Sequence, residues 1–457
     1  MRKIGITQRL VENQSYEEVR EALDLNYCKL IYESGFLPII FSYEIDLEQY
    51  FSLIEIDGVL LTGGNDLSVC NPNKLSTKRD IYEKKLIDYC EKNLIPVFGI
   101  CRGMQILADY FGSKFKKLNN HVNTRHKLDV NSSSNFEKQL KKINDVNSFH
   151  DYGIDQISDN LIVSAKNQEG VIKAIEHKNL YFFGQMWHPE RERPFDKFQK
   201  IVMSDFFNEN LDQIIQIAKR ASESVIKIYN KNNFSESFKS DDSPLTDADL
   251  ASNKIILDEL KKISNYPILS EETEIDFNTR KNWRKFWLID PLDGTKDFIQ
   301  RNGQFTINIS LICDNKPILG VISIPSTGEI FYAIKNGGAF KNGKKIFNNS
   351  TRVNYVGAES NFHTSMKTAS YFKNHKIKNI IKLGSSIKMC RLAEGVIDIY
   401  PRFYGSKEWD TAAAQIILYE SGCKIIDIET KKELLYNKKN INNNHFIASR
   451  NDINLDT

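Results

Sequence analysis

The sequence DPLDGT at residues 290–295 closes an apolar run at residues 286–290 and sets two carboxylates three positions apart. Two further acidic stretches, SEE at residues 270–272 and WDTAA at residues 409–413, also stand at the ends of apolar segments. Oxygen ligands of this kind suit Mg²⁺ better than zinc or copper. A single D-x-x-D pair commonly serves as a turn or a helix cap, so the prediction of a magnesium site rests on the combination.

Around this stretch, the second half of the chain mixes helices with strands. Residues 211–229 place apolar side chains on one helical face, which predicts a helix, and a second helix is predicted at residues 247–263. Strands are predicted at residues 269–270, 286–290, 306–312 and 318–324. This mixture predicts an α/β fold made of layers of helices and sheet.

The first 200 residues alternate short apolar runs with longer helical patterns. The short runs cover residues 3–6, 38–41, 58–61 and 95–100, and the helical patterns cover residues 16–34 and 79–92. Such alternation predicts βαβ units around a largely parallel sheet. The pattern changes near Asn208, so we predict one domain at residues 1–208 and a second at residues 209–457.

Composition excludes several classes of protein. The 457 residues carry a formal net charge of only +3, which argues against a nucleic-acid-binding coat. The 41% of hydrophobic residues is ample for packed cores and excludes a disordered chain. No apolar run reaches the length of a membrane span or a signal peptide, so we expect a soluble cytoplasmic protein that does not bind membranes. The seven cysteines are scattered and predict neither disulfides nor zinc.

One cysteine occupies a special position. The sequence GICRG at residues 99–103 joins the apolar run at residues 95–100 to a predicted helix at residues 104–111. Small flanking residues permit a sharp turn that exposes the central side chain, and the helix N-terminus favours a thiolate. On this pattern alone, Cys101 is a nucleophile or a buried structural residue.

Two further segments could complete a catalytic site around Cys101. If residues 187–190 (WHPE) are extended, His188 and Glu190 point the same way, so the carboxylate can orient the imidazole while its other nitrogen faces Cys101. The sequence LTGG at residues 61–64 ends another predicted strand. The backbone N–H of Gly64, together with that of Arg102, could hold an oxyanion, although a Gly-Gly pair is also an ordinary turn.

The order of these three elements resembles the class I glutamine amidotransferase fold, which is flavodoxin-like, and in particular its free-standing γ-glutamyl hydrolase branch. The resemblance covers about residues 1–200 and implies a Cys101–His188–Glu190 catalytic triad, with Gly64 and Arg102 at the substrate. It departs from that branch at residues 65–68 (NDLS) and 151–153 (DYG), where the leaving group could be contacted. Since no synthetase domain accompanies it, we expect hydrolysis of a γ-glutamyl amide.

The spacing of DPLDGT and WDTAA is similar to that of the inositol monophosphatase superfamily, whose layered α/β fold we expect at about residues 209–450. This resemblance implies two or three Mg²⁺ ions held by Glu271, Asp290, the Leu292 carbonyl, Asp293 and Asp410. It also implies that Asp249 and Thr295 form a hydrogen bond and together orient the attacking water.

Within this superfamily, the chain looks closest to the CysQ-type 3'(2'),5'-bisphosphate nucleotidases. The sequence SNFH at residues 360–363 departs from the pattern of that group and loses one cation, which leaves the nucleobase and the position of the second phosphate open. The substrate contacts implied by the two C-terminal resemblances are Glu271, Leu292, Asp293, Gly294, Thr295, Ser385, Ser386, Lys388 and Asp410.

Both halves retain their predicted catalytic residues, so we expect a bifunctional enzyme acting on small molecules. The preferred reactions are hydrolysis of γ-glutamyl-CDP-amidate, as in capsule phosphoramidate synthesis, and removal of the 3'-phosphate from a 3',5'-bisphosphate nucleotide. One alternative pairs γ-glutamyl-aminobutyrate hydrolysis with an adenosine 3',5'-bisphosphate nucleotidase of sulfur assimilation. Another is an inactive amidase-like module that serves an inositol or sugar phosphatase.

Overall fold

The computed structural model describes residues 1–13, 15–231, 236–238, 244–273, 275–362 and 365–454, with residues 236–238 described as backbone. The chain divides into two compact units, Met1–Asn210 and Leu211–Thr457. The division falls close to Asn208, where the sequence pattern changes. Among the described residues, no helix combines the length and apolar character needed to cross a lipid bilayer.

The first unit contains a central sheet flanked by helices. Its strands are β1 (Lys3–Ile6), β2 (Arg9–Glu12), β3 (Val19–Ala22), β4 (Leu37–Ile40), β5 (Gly58–Leu61), β6 (Val97–Ile100), β7 (Lys114–Lys117), β8 (Val122–His126), β9 (Asp129–Val130), β10 (Val146–Phe149), β11 (Tyr152–Gln156), β12 (Leu161–Lys166), β13 (Ile172–His177) and β14 (Phe182–Gln185). Its helices are α1 (Leu25–Glu33), α2 (Leu47–Gln49), α3 (Lys74–Lys92), α4 (Arg102–Tyr110), α5 (Glu137–Leu140) and α6 (Lys197–Phe207), with a π-helical turn at Tyr50–Ile54 and a 3-10 turn at Pro189–Arg191.

The eight strands of the central sheet run in the order β4-β1-β5-β6-β14-β13-β12-β9. The first five are mutually parallel and the last three are antiparallel. In chain order the parallel part reads 2-1-3-4-5, the flavodoxin-like order. The predicted α/β fold is therefore confirmed, and the carboxyl ends of β5 and β6 lie side by side at one edge of the sheet.

The predicted helix at residues 16–34 is wrong in its first part. Residues Val19–Ala22 form β3, which pairs with β2 in a two-stranded sheet, and the helix begins only at Leu25. Asp24 caps this helix, because its carboxylate accepts a hydrogen bond from the Asn26 N–H. This N-cap marks the start of the helix, two residues after the end of β3.

The second unit begins with a long amphipathic helix, as predicted. Its helices are α7 (Leu211–Tyr229), α8 (Asp247–Leu260), α9 (Phe277–Arg280), α10 (Thr295–Ile299), α11 (Met366–Asn374), α12 (Ile387–Ala393) and α13 (Glu408–Glu420). Its strands are β15 (Glu236–Phe238), β16 (Pro244–Thr246), β17 (Ile268–Ser270), β18 (Lys285–Asp293), β19 (Thr306–Cys313), β20 (Lys316–Ile324), β21 (Glu329–Ile334), β22 (Gly338–Lys341), β23 (Lys344–Ile346), β24 (Val356–Ser360), β25 (Asn379–Leu383), β26 (Ile399–Arg402), β27 (Cys423–Asp427) and β28 (Phe446–Arg450).

A seven-stranded sheet, β17 to β23 in chain order, forms the centre of this unit, and a five-stranded sheet lies in the order β25-β24-β26-β28-β27. Alternate side chains of β18 enter different cores, since Phe286 and Leu288 pack with α13 whereas Trp287 and Ile289 pack with α7 and α8. The period of two along a strand produces this division. The seven-stranded sheet is thus covered by helices on both faces, which is the expected layered α/β architecture.

Candidate active sites

The first site is built on a sharp turn between β6 and α4. Cys101 has φ of 53° and ψ of −106°, outside the regions that side chains normally favour. A Cβ on Gly103 would lie 2.1 Å from the Leu61 carbonyl oxygen, so only glycine fits between the turn and β5. The Cys101 N–H donates to the Gln185 carbonyl at 2.7 Å, which ties the turn to β14. The elbow predicted from the sequence is therefore present.

His188 follows β14 and pairs with Glu190. The distance from His188 Nδ1 to Glu190 Oε1 is 2.6 Å, and both side chains are buried. Residues Pro189–Arg191 form a 3-10 turn, so the condition of an extended segment is not met, because Pro189 starts the turn with its fixed φ. Asn147 holds the His188 backbone on both sides, accepting from its N–H and donating to its carbonyl, each at 2.8 Å.

His188 and Cys101 lie beside the same glycine. A Cβ on Gly63 would lie 2.9 Å from His188 Cε1 and 3.6 Å from Cys101 Cβ. His188 Nε2 is buried without a hydrogen bond of normal geometry to any described residue. Burial opposes the charged ring, but the Cys101 thiolate and the Glu190 carboxylate outweigh it and raise the pKa of His188 to about 10. The arrangement therefore favours the charged form of the His188 ring at neutral pH.

The Gly63–Gly64 turn is fixed by two contacts that the sequence analysis did not predict. The Gly63 N–H donates to the Tyr27 hydroxyl at 3.1 Å, so it is not available to an oxyanion. The Arg79 guanidinium donates to the carbonyls of Thr62 at 2.8 Å and Gly63 at 3.1 Å, and also to that of Gly64. In a trans peptide the N–H points opposite to the carbonyl, so Arg79 turns the Gly64 N–H away from itself.

The Arg102 side chain does not reach the substrate side of the elbow. It is 1% exposed and pairs with Asp80 and Glu83. Glu83 also pairs with Arg79 at 2.9 Å. Only the backbone N–H of Arg102, at the start of α4, remains as the second candidate oxyanion donor beside that of Gly64.

The second site lies at the ends of β18 and α13 and is acidic. Carboxylate oxygens of Asp290, Asp293 and Asp410 lie within 4.8 Å of one another. Burial, then the charges of Asp293 and Glu271, raises the pKa of Asp410 to about 8, and burial with the same neighbours raises that of Asp290 well above its usual value. A divalent cation would offset this repulsion, so the donor set fits the Mg²⁺ predicted from the sequence.

The Asp249 and Thr295 side chains are in contact. Thr295 Oγ1 donates to Asp249 Oδ1 at 3.3 Å and lies at the same distance from the Leu292 carbonyl oxygen. The other oxygen of Asp249 accepts from the N–H of Thr246 at 2.8 Å and its hydroxyl at 2.6 Å, which caps α8. The carboxylate is thus held rigidly toward Thr295 beside the acidic cluster.

Ser385 and Ser386 bind a carboxylate. Asp293 Oδ2 accepts from Ser385 Oγ at 2.7 Å, from Ser386 Oγ at 2.8 Å and from the Ser386 N–H at 2.7 Å. Gly294 has φ of 90°, and a Cβ there would lie 3.1 Å from Ser385 Cβ. Both serines therefore orient a candidate metal ligand, a role that could not be predicted from sequence spacing.

Lys388 donates to backbone carbonyls. Its ammonium reaches the Leu383 oxygen at 2.9 Å and the Ser385 oxygen at 2.6 Å. Burial and the charge of Arg402 lower its pKa to about 7. The lysine consequently supports the loop that carries the two serines and also lines the cavity.

A cavity of about 540 Å³ opens over the acidic cluster. Its walls include Glu271, Ser360, Lys388, Arg402 and Asp410, so cations and carboxylates face each other across it. Asn361 donates to Asp297 at 2.7 Å within the segment SNFH. His363 of that segment lies outside the described residues. The cavity has the size of a small-molecule site.

Comparisons with known proteins match each half separately. The inositol monophosphatase family model matches residues 208–454, and the peptidase C26 model matches residues 3–190. A 3'(2'),5'-bisphosphate nucleotidase CysQ from Buchnera aphidicola is 41% identical over 50% of this chain and 89% of its own length. A γ-glutamyl-CDP-amidate hydrolase from Campylobacter jejuni is 41% identical over 45% of this chain and 97% of its own. A crystal structure of CysQ from Bacteroides thetaiotaomicron is 34% identical, covers 54% of this chain and 99% of its own, and has a TM-score of 0.49.

Proposed function

Because the chain carries an N-terminal peptidase C26 domain and belongs, through its C-terminal half, to the inositol monophosphatase family, we propose that it is a bifunctional hydrolase. Residues 1–208 hydrolyse a γ-glutamyl amide, and residues 209–457 remove a phosphate from a 3',5'-bisphosphate nucleotide with the help of Mg²⁺. The observation that supports this proposal best is that the catalytic groups are intact in both halves.

In the amidase reaction, the Cys101 thiolate attacks the γ-carbonyl carbon. The Gly64 and Arg102 N–H groups hold the oxyanion that forms. The C–N bond breaks as the His188 imidazolium donates its proton to the leaving nitrogen. Water then attacks the glutamyl thioester and loses a proton to His188, releasing glutamate and the thiolate. Glu190 holds the ring in the required orientation throughout, at 2.6 Å from Nδ1.

In the phosphatase reaction, Asp249 and Thr295 orient the water that attacks phosphorus, and the bond from phosphorus to the ester oxygen breaks. Asp290, Asp293 and Asp410, with Glu271 and the Leu292 carbonyl, would hold Mg²⁺, which supplies a positive charge for the phosphate and the leaving oxygen. Ser385 and Ser386 keep Asp293 in position through its Oδ2.

For the substrates, we propose γ-glutamyl-CDP-amidate, which gives glutamate and cytidine diphosphoramidate, and a nucleoside 3',5'-bisphosphate, which gives a 5'-monophosphate. The first is supported by the similarity to the Campylobacter hydrolase over 97% of that protein. The second is supported by the similarity to the Buchnera nucleotidase over 89% of that protein. The fusion is explained if phosphoramidate transfer from a 3'-phosphorylated nucleotide leaves the bisphosphate as its by-product.

The test measures glutamate release and phosphate release on the same protein. Glutamate release is assayed with γ-glutamyl-CDP-amidate and γ-glutamyl-aminobutyrate, and phosphate release with cytidine and adenosine 3',5'-bisphosphates and inositol 1-phosphate. We expect Cys101→Ala to abolish only the first activity and Asp290→Asn only the second. Activity confined to γ-glutamyl-aminobutyrate and the adenosine compound would contradict the proposed substrates.

A further inference from the structure

A buried lysine lies next to the Cys101 site. Lys173, on β13, is 1% exposed. Its ammonium contacts three side-chain atoms, Ser148 Oγ at 3.2 Å, His121 Nδ1 at 3.3 Å and His150 Nε2 at 3.0 Å. We call these three residues the Lys173 tripod. The ammonium thus has a partner for each of its three N–H groups.

All three partners are neutral. His150 Nδ1 lies 3.0 Å from the Tyr152 carbonyl oxygen and donates to it, so Nε2 is free to accept from Lys173. Burial and the charge of Lys173 lower the pKa of His150 to about 3, and the same two causes lower that of His121. The rings therefore stay uncharged at neutral pH.

Within the described residues, no carboxylate lies within ion-pair distance of Lys173. A link to one carboxylate passes through His121, whose Nε2 lies 3.4 Å from Glu169 Oε2, and the Glu169 side chain is 67% exposed. Burial lowers the pKa of Lys173 to about 8, and the first opposing influence is the charge of Cys101. A buried cation without an anionic partner is costly, and such groups cluster at functional sites.

The backbone fixes Lys173 relative to the nucleophile. The Met186 N–H donates to the Lys173 carbonyl at 2.8 Å, and the adjacent Gln185 carbonyl accepts from the Cys101 N–H at 2.7 Å. On β10, Asn147 holds His188 and the next residue, Ser148, contacts the ammonium. The end of β14 and strand β10 thus each contact both the lysine and the catalytic groups.

We propose that Lys173 and its tripod form an anion-recognition subsite of the Cys101 site, which takes an oxyanion of the substrate. The inference rests on the proposed amidase function and narrows its substrate class. Two groups of the substrate could provide this oxyanion: a phosphoryl group on the scissile nitrogen, and the α-carboxylate of the glutamyl group. Binding replaces a neutral acceptor of Lys173 with a charged one, which makes the stronger hydrogen bond. A cationic leaving group such as a polyamine is disfavoured by like-charge repulsion.

The test compares Lys173→Met, which removes the charge at similar volume, with Lys166→Met on β12, an exposed lysine. Two substrates separate the sources: γ-glutamyl-CDP-amidate carries both oxyanions, and γ-glutamyl-p-nitroanilide carries only the α-carboxylate. We expect Lys173→Met to raise KM by about tenfold or more, the scale of one lost charged contact, and Lys166→Met to leave it unchanged. A rise for the CDP compound alone identifies the phosphoryl group, and an equal rise for both identifies the α-carboxylate. An unchanged KM for both overturns the proposal.

A second measurement does not depend on hydrolysis. Pyrophosphate and glutamate are tested for their ability to protect Cys101 from alkylation by iodoacetamide. We expect at least one of them to protect the unaltered protein and to lose most of this protection in Lys173→Met. Ser148→Ala, which removes one of three acceptors, covers the case in which Lys173→Met fails to fold, and we expect it to weaken protection in part.

These two measurements separate the failure of the subsite from the failure of the proposed function. If the protein cleaves neither γ-glutamyl compound, the amidase proposal is refuted. The protection of Cys101 from alkylation still shows whether the subsite binds an anion. Protection by neither anion, or equal protection in the unaltered protein and both variants, refutes the subsite.

Discussion

Replacing Glu190 with glutamine tests quantitatively how the carboxylate affects the charge of His188. The change keeps the shape of the side chain and removes its charge, 2.6 Å from His188 Nδ1 and with both groups buried. A hydrogen bond to a charged partner contributes about 1.5–3 kcal/mol, and one pH unit corresponds to about 1.4 kcal/mol. We therefore expect the pKa of His188, which burial opposes but Cys101 and Glu190 raise to about 10, to fall by about 1–2 pH units.

The assay is the pH dependence of glutamate release. His188 must be protonated to serve the leaving nitrogen, so activity is lost as pH rises through its pKa. In Glu190→Gln we expect this alkaline limb to move down by about 1–2 pH units and the rate at neutral pH to fall by about 10²–10⁴, the scale of a general acid–base contribution. Glu137→Gln, which removes the charge of a half-buried carboxylate on α5 that pairs with Lys141, serves as the control. A reduced rate with an unmoved alkaline limb would refute the reasoning, because the carboxylate would then act without changing the charge of the ring.

Three further predictions concern other parts of the two sites. Removal of Mg²⁺ by a chelator should abolish phosphate release and leave glutamate release unchanged; loss of both activities would contradict separate sites. Thr295→Val should lower kcat for phosphate release by about 10²–10⁴ with little change in KM, as expected for a lost water-orienting group, and a pure KM effect would contradict that role. Ser386→Ala removes a hydroxyl 2.8 Å from Asp293 and should weaken Mg²⁺ binding by about 10–100-fold, as measured by titration; unaltered affinity would contradict the orienting role.

The elements that the sequence predicted well are those with a strong local pattern. The helix at Leu211–Tyr229 has its predicted bounds, because a continuous apolar face specifies it without reference to the rest of the chain. The helical pattern at residues 16–34 misled, because the strand at Val19–Ala22 exists only through its pairing with Arg9–Glu12. Pairing between segments overrides a local pattern of side chains.

The candidate site residues also divide into those that a local motif predicts and those that only the fold brings together. Cys101 and Asp290 stand in motifs whose residues are contiguous, so the sequence alone points to them. Tyr27 and Arg79 act on the Gly63–Gly64 turn from distant positions in the chain, and a single sequence contains no signal for such contacts. Ser386 is predicted to contact substrate, and it lines the cavity over the acidic cluster. Its hydrogen bond to Asp293 is a separate contact that only the fold reveals.

Two main-chain hydrogen bonds at the end of β14 separate reactivity from selectivity in the first site. The Gln185 carbonyl accepts from the N–H of the nucleophile Cys101, and the Met186 N–H donates to the Lys173 carbonyl. Both bonds join backbone atoms only. A backbone bond survives exchange of the side chain above it. A substitution at position 173 can therefore change the charge of the side chain, and with it the amide substrate that binds, while Cys101 keeps its geometry. An enzyme built this way can acquire new substrates by single substitutions without rebuilding its chemistry.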